Sequence, residues 1–182
     1  MVGRRAAYAG LVAAVAAQRL AEMRTSRRHE RALVARGGTV HAQRQLPAAV
    51  ALHAGWLAGC LAEGTRRLRR PVPAPQAVLG LAGLALGQGL RLSAMRALGE
   101  RWTGSVVTVP GAPRVETGVY RWLRHPNYWG VVVEGVALPA VGGVWRTAAA
   151  FTVANALFLR ARIRAEDAAL DAAAGAPPPA LS

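Results

Sequence analysis

Residues 71–90 read PVPAPQAVLGLAGLALGQGL, twenty positions without a formal charge between Arg70 and Arg91. A helix needs about 20 predominantly apolar residues to cross the hydrocarbon core of a bilayer, and this stretch has that length. Working outward, Arg44 and Glu63 bracket an 18-residue block, Gln45–Ala62, and Pro126–Trp145 forms a further block of 20 with Glu134 as its single charge. Two shorter blocks of 13 residues, Ala6–Gln18 and Thr147–Leu159, end on arginines whose long side chains can reach an interface. The pattern predicts an all-α, polytopic transmembrane helical bundle of about five spans. Gly83, Gly87 and Gly89 are candidates for close helix contact, because small residues let backbones approach inside a membrane.

The chain carries a formal net charge of +14, yet 53% of its residues are hydrophobic. That combination suits either a nucleic-acid binder or a membrane protein whose basic residues flank apolar spans. The layout favours the membrane: the arginines border the apolar blocks, and no base-stacking aromatics accompany them. Membrane lipids are therefore the expected partner and nucleic acid is not. The basic run Arg24–Arg36 is expected as a loop on anionic head groups.

With five spans, 16 of the 23 arginines fall on the side holding residues 18–44, 91–125 and 160–182. The positive-inside rule makes that side cytoplasmic, so the C-terminus lies in the cytoplasm of a multi-pass inner-membrane protein. The cluster Arg66–Arg70 runs against this assignment without reversing it. Arg4 and Arg5 followed by an apolar run also describe a signal peptide; the further apolar blocks make a retained first helix the simpler reading. Cys60 is the single cysteine, and His29, His41, His53 and His125 share no metal-ligand spacing, so a metal centre is not expected.

The stretch Leu98–Gly135 carries most of the chemistry. Val106–Val109 followed by Pro110-Gly111 predicts a short extended segment and a turn. Pro126 suits the first turn of a helix, where its missing N–H costs nothing. A helix starting there brings His125, Tyr128 and free backbone N–H groups to the membrane boundary, a place suited to an anionic group. His125 taken alone is also a helix cap, and Tyr128 and Trp129 are also interfacial anchors. Glu134 lies about two turns into a span, on a stripe with Asn127, Gly130, Val131 and Leu138. An acid at that depth is a functional candidate by default, or a structural hydrogen-bond partner. Arg162 and Glu166 share a helix face; Arg before Glu is the weaker order for a local ion pair, which leaves room for a ligand between them.

The run Arg124-His125-Pro126-Asn127-Tyr128-Trp129-Gly130, preceded by a Pro-Gly turn and the step Gly118-Val119-Tyr120-Arg121, resembles the signature of the isoprenylcysteine carboxyl methyltransferase family. Arg162-Ile163-Arg164-Ala165-Glu166-Asp167 is similar to that family's Arg…Glu-Glu element, with Asp167 in place of the second Glu. The resemblance covers roughly Leu92–Leu170, and RLAEMRTSRRHERALVARGG near the start is similar to a bacterial subgroup. It implies methyl transfer from S-adenosylmethionine to a lipid-like acceptor. The acceptor is either a prenylcysteine-type carboxylate or a long-chain polyketide pyrone or phenol hydroxyl. It implies a cytoplasmic-facing C-terminal cofactor pocket of His125, Pro126, Tyr128, Gly130, Arg162, Glu166 and Asp167, with Glu134 and His125 as catalytic candidates. Phospholipid N-methylation, a related membrane reductase and a non-enzymatic membrane scaffold are the competing classes. The organisation expected is 1–90 as three spans with a basic cytoplasmic loop, 91–171 as the methyltransferase region with two spans, and 172–182 as a disordered tail.

Overall fold

The computed structural model describes residues 2–67 and 71–174. Five helices make up almost all of it: α1 (Val2–Ala35), α2 (Gln45–Arg67), α3 (Ala74–Leu98), α4 (Pro126–Gly142) and α5 (Trp145–Ala174). Each holds all or most of one of the five apolar blocks. α2, and α3 together with the 3-10 turn that extends it to Arg101, are long and apolar enough to cross a membrane.

α1 runs 34 residues, far beyond its apolar block. Its buried side tracks a helical stripe that changes character along the way: Tyr8, Val12 and Val15, then Glu22, then Ser26 and Leu33. The expected basic loop from Arg24 is therefore helix as far as Ala35, and Arg24, Arg27, Arg28 and Arg31 stand exposed on its outer face. α5 likewise continues to Ala174, so residues 172–174 of the expected tail are helical; the remainder of that tail, like Arg69 and Arg70, lies outside the described residues.

α3 and α4 make the closest helix contact. A Cβ on Gly87 would lie 2.6 Å from Glu134 Cγ, one on Gly130 would lie 2.5 Å from Arg91 Cγ, and one on Gly80 would lie 2.8 Å from the Val141 backbone nitrogen. Nothing larger than hydrogen fits at these crossings. Gly83 shares the face, but Gly89 meets nothing within 4 Å and takes no part. The expected domain boundary at 90/91 falls inside α3, so the two halves share a continuous helix.

Pro139 sits inside α4. A proline there removes the amide that would bond the carbonyl four residues earlier. That carbonyl belongs to Gly135, and the indole Nε1 of Trp56 on α2 donates to it at 3.2 Å. Near the same end, Tyr8 Oη donates to the Leu138 carbonyl and Gln76 Nε2 to the Ala140 carbonyl. Gly143, in the left-handed region at φ 65°, closes the helix, with the amides of Gly143 and Val144 returning to the Ala140 and Pro139 carbonyls. Apolar side chains from all five helices, among them Val12, Trp56, Leu84, Leu138 and Phe151, form the core around α4.

Two short strands complete the fold. β1 (Thr39–His41) pairs antiparallel with β2 (Val106–Thr108), Val40 facing Val107. β2 coincides with the extended segment expected from its valines; its partner just after α1 carries no comparable pattern. Ser26 Oγ accepts from the Gly104 amide at 2.7 Å and His29 Nδ1 meets the Trp102 carbonyl at 2.8 Å, so α1 holds the 102–108 segment from beneath.

Candidate functional site

The loop from Gly99 to His125 folds over the ends of α4 and α5 and encloses two cavities. The first, of about 170 Å³, is polar at its base, where Tyr120, Arg124, His125, Tyr128, Arg162 and Glu166 converge. The second, of about 270 Å³, runs between α1, α2 and α5 along Leu20, Leu46, Val50, Leu57 and Phe158. Trp102, Thr103, Asn127, Tyr128 and Arg162 line both and form the wall between them.

Tyr128 is the centre of that wall. Its hydroxyl donates to Glu166 and accepts from Arg162 Nε at 3.1 Å. Arg162 and Glu166 do share a face of α5, one turn apart, and the phenol oxygen bridges them instead of a direct ion pair. Arg162 is buried, and its other nitrogens reach the Gly104 carbonyl at 2.6 Å and Gln45 Oε1 at 3.4 Å. The long Gln45 contact is the one most readily exchanged for a stronger anionic partner. Burial, assisted by the nearby Glu166 charge, raises the Tyr120 phenol above its ordinary range, so it stays neutral.

His125 occupies the N-cap position of α4 without a side-chain capping bond. Its ring stacks on Tyr128 at a centroid distance of 5.5 Å, and Nε2 lies 3.6 Å from Asp167 Oδ2. The expected row of free amides at the start of α4 is largely absent, because Tyr128 N and Trp129 N both bond the His125 carbonyl. Trp129 points outward, as an interfacial anchor does.

Four expected site residues lie elsewhere. Pro126 is buried and sets the helix start without lining either cavity. Gly130 serves the α3–α4 crossing. Asp167 does not itself line the first cavity but meets two residues that do, His125 and Arg114; Arg114 holds both Asp167 and Asp171 and so fastens the loop to α5. Glu134, 1% exposed, lines neither cavity. It pairs with Arg19, and Arg91 Nε lies 3.8 Å away; Glu22 in turn pairs with both Arg19 (2.8 Å) and Arg91. Two guanidinium groups and two carboxylates thus neutralise one another, with Arg19, Glu22 and Arg91 in the wall of the second cavity and Glu134 behind them.

Sequence reasoning did not single out Arg19, Glu22 and Arg91 as a cluster, or Tyr120 and Arg124 as cavity residues. The signal for the first was present: Arg19 and Glu22 continue the buried stripe of α1 begun by Tyr8, Val12 and Val15. Tyr120 and Arg124 lie in a loop whose path no periodicity reveals.

Fold and site together define a helical, membrane-associated methyltransferase. The chain belongs to the isoprenylcysteine carboxyl methyltransferase (ICMT) family, whose model matches residues 78–172. It is also similar to the uncharacterized protein YpbQ of Bacillus subtilis (strain 168), 32% identical over 161 residues, covering 88% of this chain and 94% of that protein. No solved structure matches the chain. The methyltransferases of this family are generally S-adenosylmethionine-dependent.

Proposed function

We propose that the chain transfers a methyl group from S-adenosylmethionine, held in the first cavity, to an oxygen of a lipid-like acceptor held in the second. The observation that carries this reading is the shared wall. The first cavity, with Arg124, His125, Arg162 and Glu166 gathered at its base, and the more apolar second cavity share Trp102, Thr103, Asn127, Tyr128 and Arg162 among the described residues, a wall across which a polar cofactor and an apolar acceptor would face each other.

The donor set of the first cavity fits the cofactor. Arg124 and Arg162 suit its carboxylate, Glu166 its amino or ribose groups, and Trp102, Val106, Val115 and Tyr120 the flat adenine. When bound, the cofactor supplies an activated methyl on a sulfonium. The protein's own contribution is positional: Tyr128, fixed between Arg162 and Glu166, sets the meeting point of the two ligands, and the loop 99–125 keeps water out. A carboxylate acceptor, of prenylcysteine type, needs no base. A phenol or pyrone hydroxyl must give up its proton, and His125 is the catalytic candidate that lines the first cavity.

In this reading all five helices cross the inner membrane, with the C-terminus and the cofactor cavity on the cytoplasmic side. Val78, Leu79 and Leu86 on α3 and Val153 and Leu157 on α5 are exposed, as lipid-facing positions would be. The acceptor enters from the bilayer and the cofactor from the cytoplasm.

Isothermal calorimetry on the purified protein in detergent tests the reading. S-Adenosylmethionine and its demethylated product should both bind, and Arg162→Ala should weaken binding by about 1.5–3 kcal/mol, the worth of a charge-assisted hydrogen bond. Absence of binding by the parent protein would point to a non-enzymatic scaffold.

A further inference from the structure

Asn155 lies on α5, seven residues before Arg162 and on the same helix face. It is 2% exposed, its side chain lines the apolar cavity, and its Oδ1 has no hydrogen-bond partner among the described residues. A buried amide without a partner is costly, and leucine would pack the position better. Turning the amide about its last torsion presents either a donor or an acceptor to the cavity.

A second neutral group stands nearby. His53 on α2 lines the same cavity, and its ring meets Phe151, one turn before Asn155, at 5.6 Å edge-on. Its Nδ1 donates to the Ala49 carbonyl at 2.8 Å, which fixes the proton there and leaves Nε2 as an acceptor. Of the charged groups on this cavity, Arg19, Glu22 and Arg91 are paired with one another and with Glu134, Arg162 is bonded to Tyr128 and the Gly104 carbonyl, and Arg27 is exposed. What Asn155 and His53 offer is therefore recognition of an uncharged polar group within an apolar surround.

We propose that Asn155, with His53 beside it, is a specificity-determining subsite for a second, uncharged hydrogen-bonding group on the acceptor, a hydroxyl or carbonyl carried along its apolar body. Seven helical residues span about 10 Å, which sets the distance of that group from the oxygen reacting at the shared wall. The inference rests on the reading that the apolar cavity takes the acceptor.

The test uses two matched pairs of probes, one for each acceptor class: octadecanoic acid against 10-hydroxyoctadecanoic acid, and 3-pentadecylphenol against the same phenol hydroxylated at the fifth chain carbon. Methyl transfer from labelled S-adenosylmethionine is measured for the parent protein and Asn155→Leu in detergent. The parent should favour the hydroxylated member of the pair it accepts by about 10–100-fold in kcat/KM, and Asn155→Leu should erase that ratio. Because no described residue depends on the Asn155 amide, Asn155→Leu should melt at or above the parent temperature. Transfer with no preference in the parent, or a preference that survives Asn155→Leu, overturns the subsite while leaving the methyltransferase reading intact. A lowered melting temperature also overturns it, by making Asn155 a structural group. If the parent binds the cofactor but methylates none of the four probes, the assignment of the cavity to the acceptor falls, and the subsite with it.

Discussion

Replacing Glu134 by glutamine separates a structural acid from a catalytic one. In the parent, Arg19, Arg91, Glu22 and Glu134 form a buried, neutral set of four. Glu134→Gln leaves two guanidinium groups facing one carboxylate, a net positive charge in the bundle core. Breaking a buried pair by removing one partner costs about 3–5 kcal/mol, and glutamine's remaining hydrogen bonds favour the lower end. At about 2–4 °C per kcal/mol for a chain of this length, the melting temperature should fall by about 6–12 °C. Thermal unfolding in detergent, followed by tryptophan fluorescence, measures the shift. Arg19→Gln added to Glu134→Gln restores neutrality and should recover part of the loss, which makes the coupling visible as non-additivity. Since Glu134 lines neither cavity, methyl transfer assayed below the melting temperature should stay within a few-fold of the parent. An unchanged melting temperature combined with a loss of about 10²–10⁴-fold in transfer would refute this account and return Glu134 to the role of proton acceptor.

A cytoplasm-active reporter fused at Ser182 should give signal and the same reporter at the N-terminus should not; the reverse pattern refutes the orientation. Gly130→Val should be more damaging than Gly89→Val, since the former drives a side chain into Arg91 and the latter meets open space; the difference should be at least about 1–3 kcal/mol in thermal unfolding. Trp56→Phe keeps most of the apolar volume but orphans the Gly135 carbonyl that Pro139 leaves free, a cost of about 1–3 kcal/mol by the same measurement. A Trp56→Phe protein as stable as the parent would show that this carbonyl needs no partner.

Much of the architecture is legible in the charges alone. Each of the five long apolar blocks lies largely within a helix of its own, because a run of Ala, Leu, Val and Gly without charge has few other stable options; the uncharged interval 102–113, with its Pro, Gly and Thr, forms loop and strand instead. Helix ends were harder to read: α1 and α5 continue well past their apolar blocks, since the helix does not stop where the solvent changes. The tail stripe Ser26–Leu33 is polar outside and buried inside against the 102–108 loop, a partner that no local pattern names. At the site, the spacing of Arg162 and Glu166 gave their common face, but not that the Tyr128 hydroxyl bridges them where a ligand was expected; Asp167, about 100° further round the helix, meets Arg114 and His125 on the same cavity. Glu134 was recognisable as significant from its depth, but its partners lie 115 and 43 positions away in sequence, on α1 and α3.

The dependence of the 102–108 segment on α1 has a bearing on how such chains can be recombined. Graft the first two helices of another relative onto residues 74–174, and the chimaera would inherit a foreign floor beneath the shared wall and foreign counter-charges for Arg91 and Glu134. Ser26, His29, Glu22 and Arg19 would have to travel with the recipient half for the graft to hold. The stretch matched by the family begins at residue 78, so the part of the chain that steadies the site lies upstream of the part that identifies it.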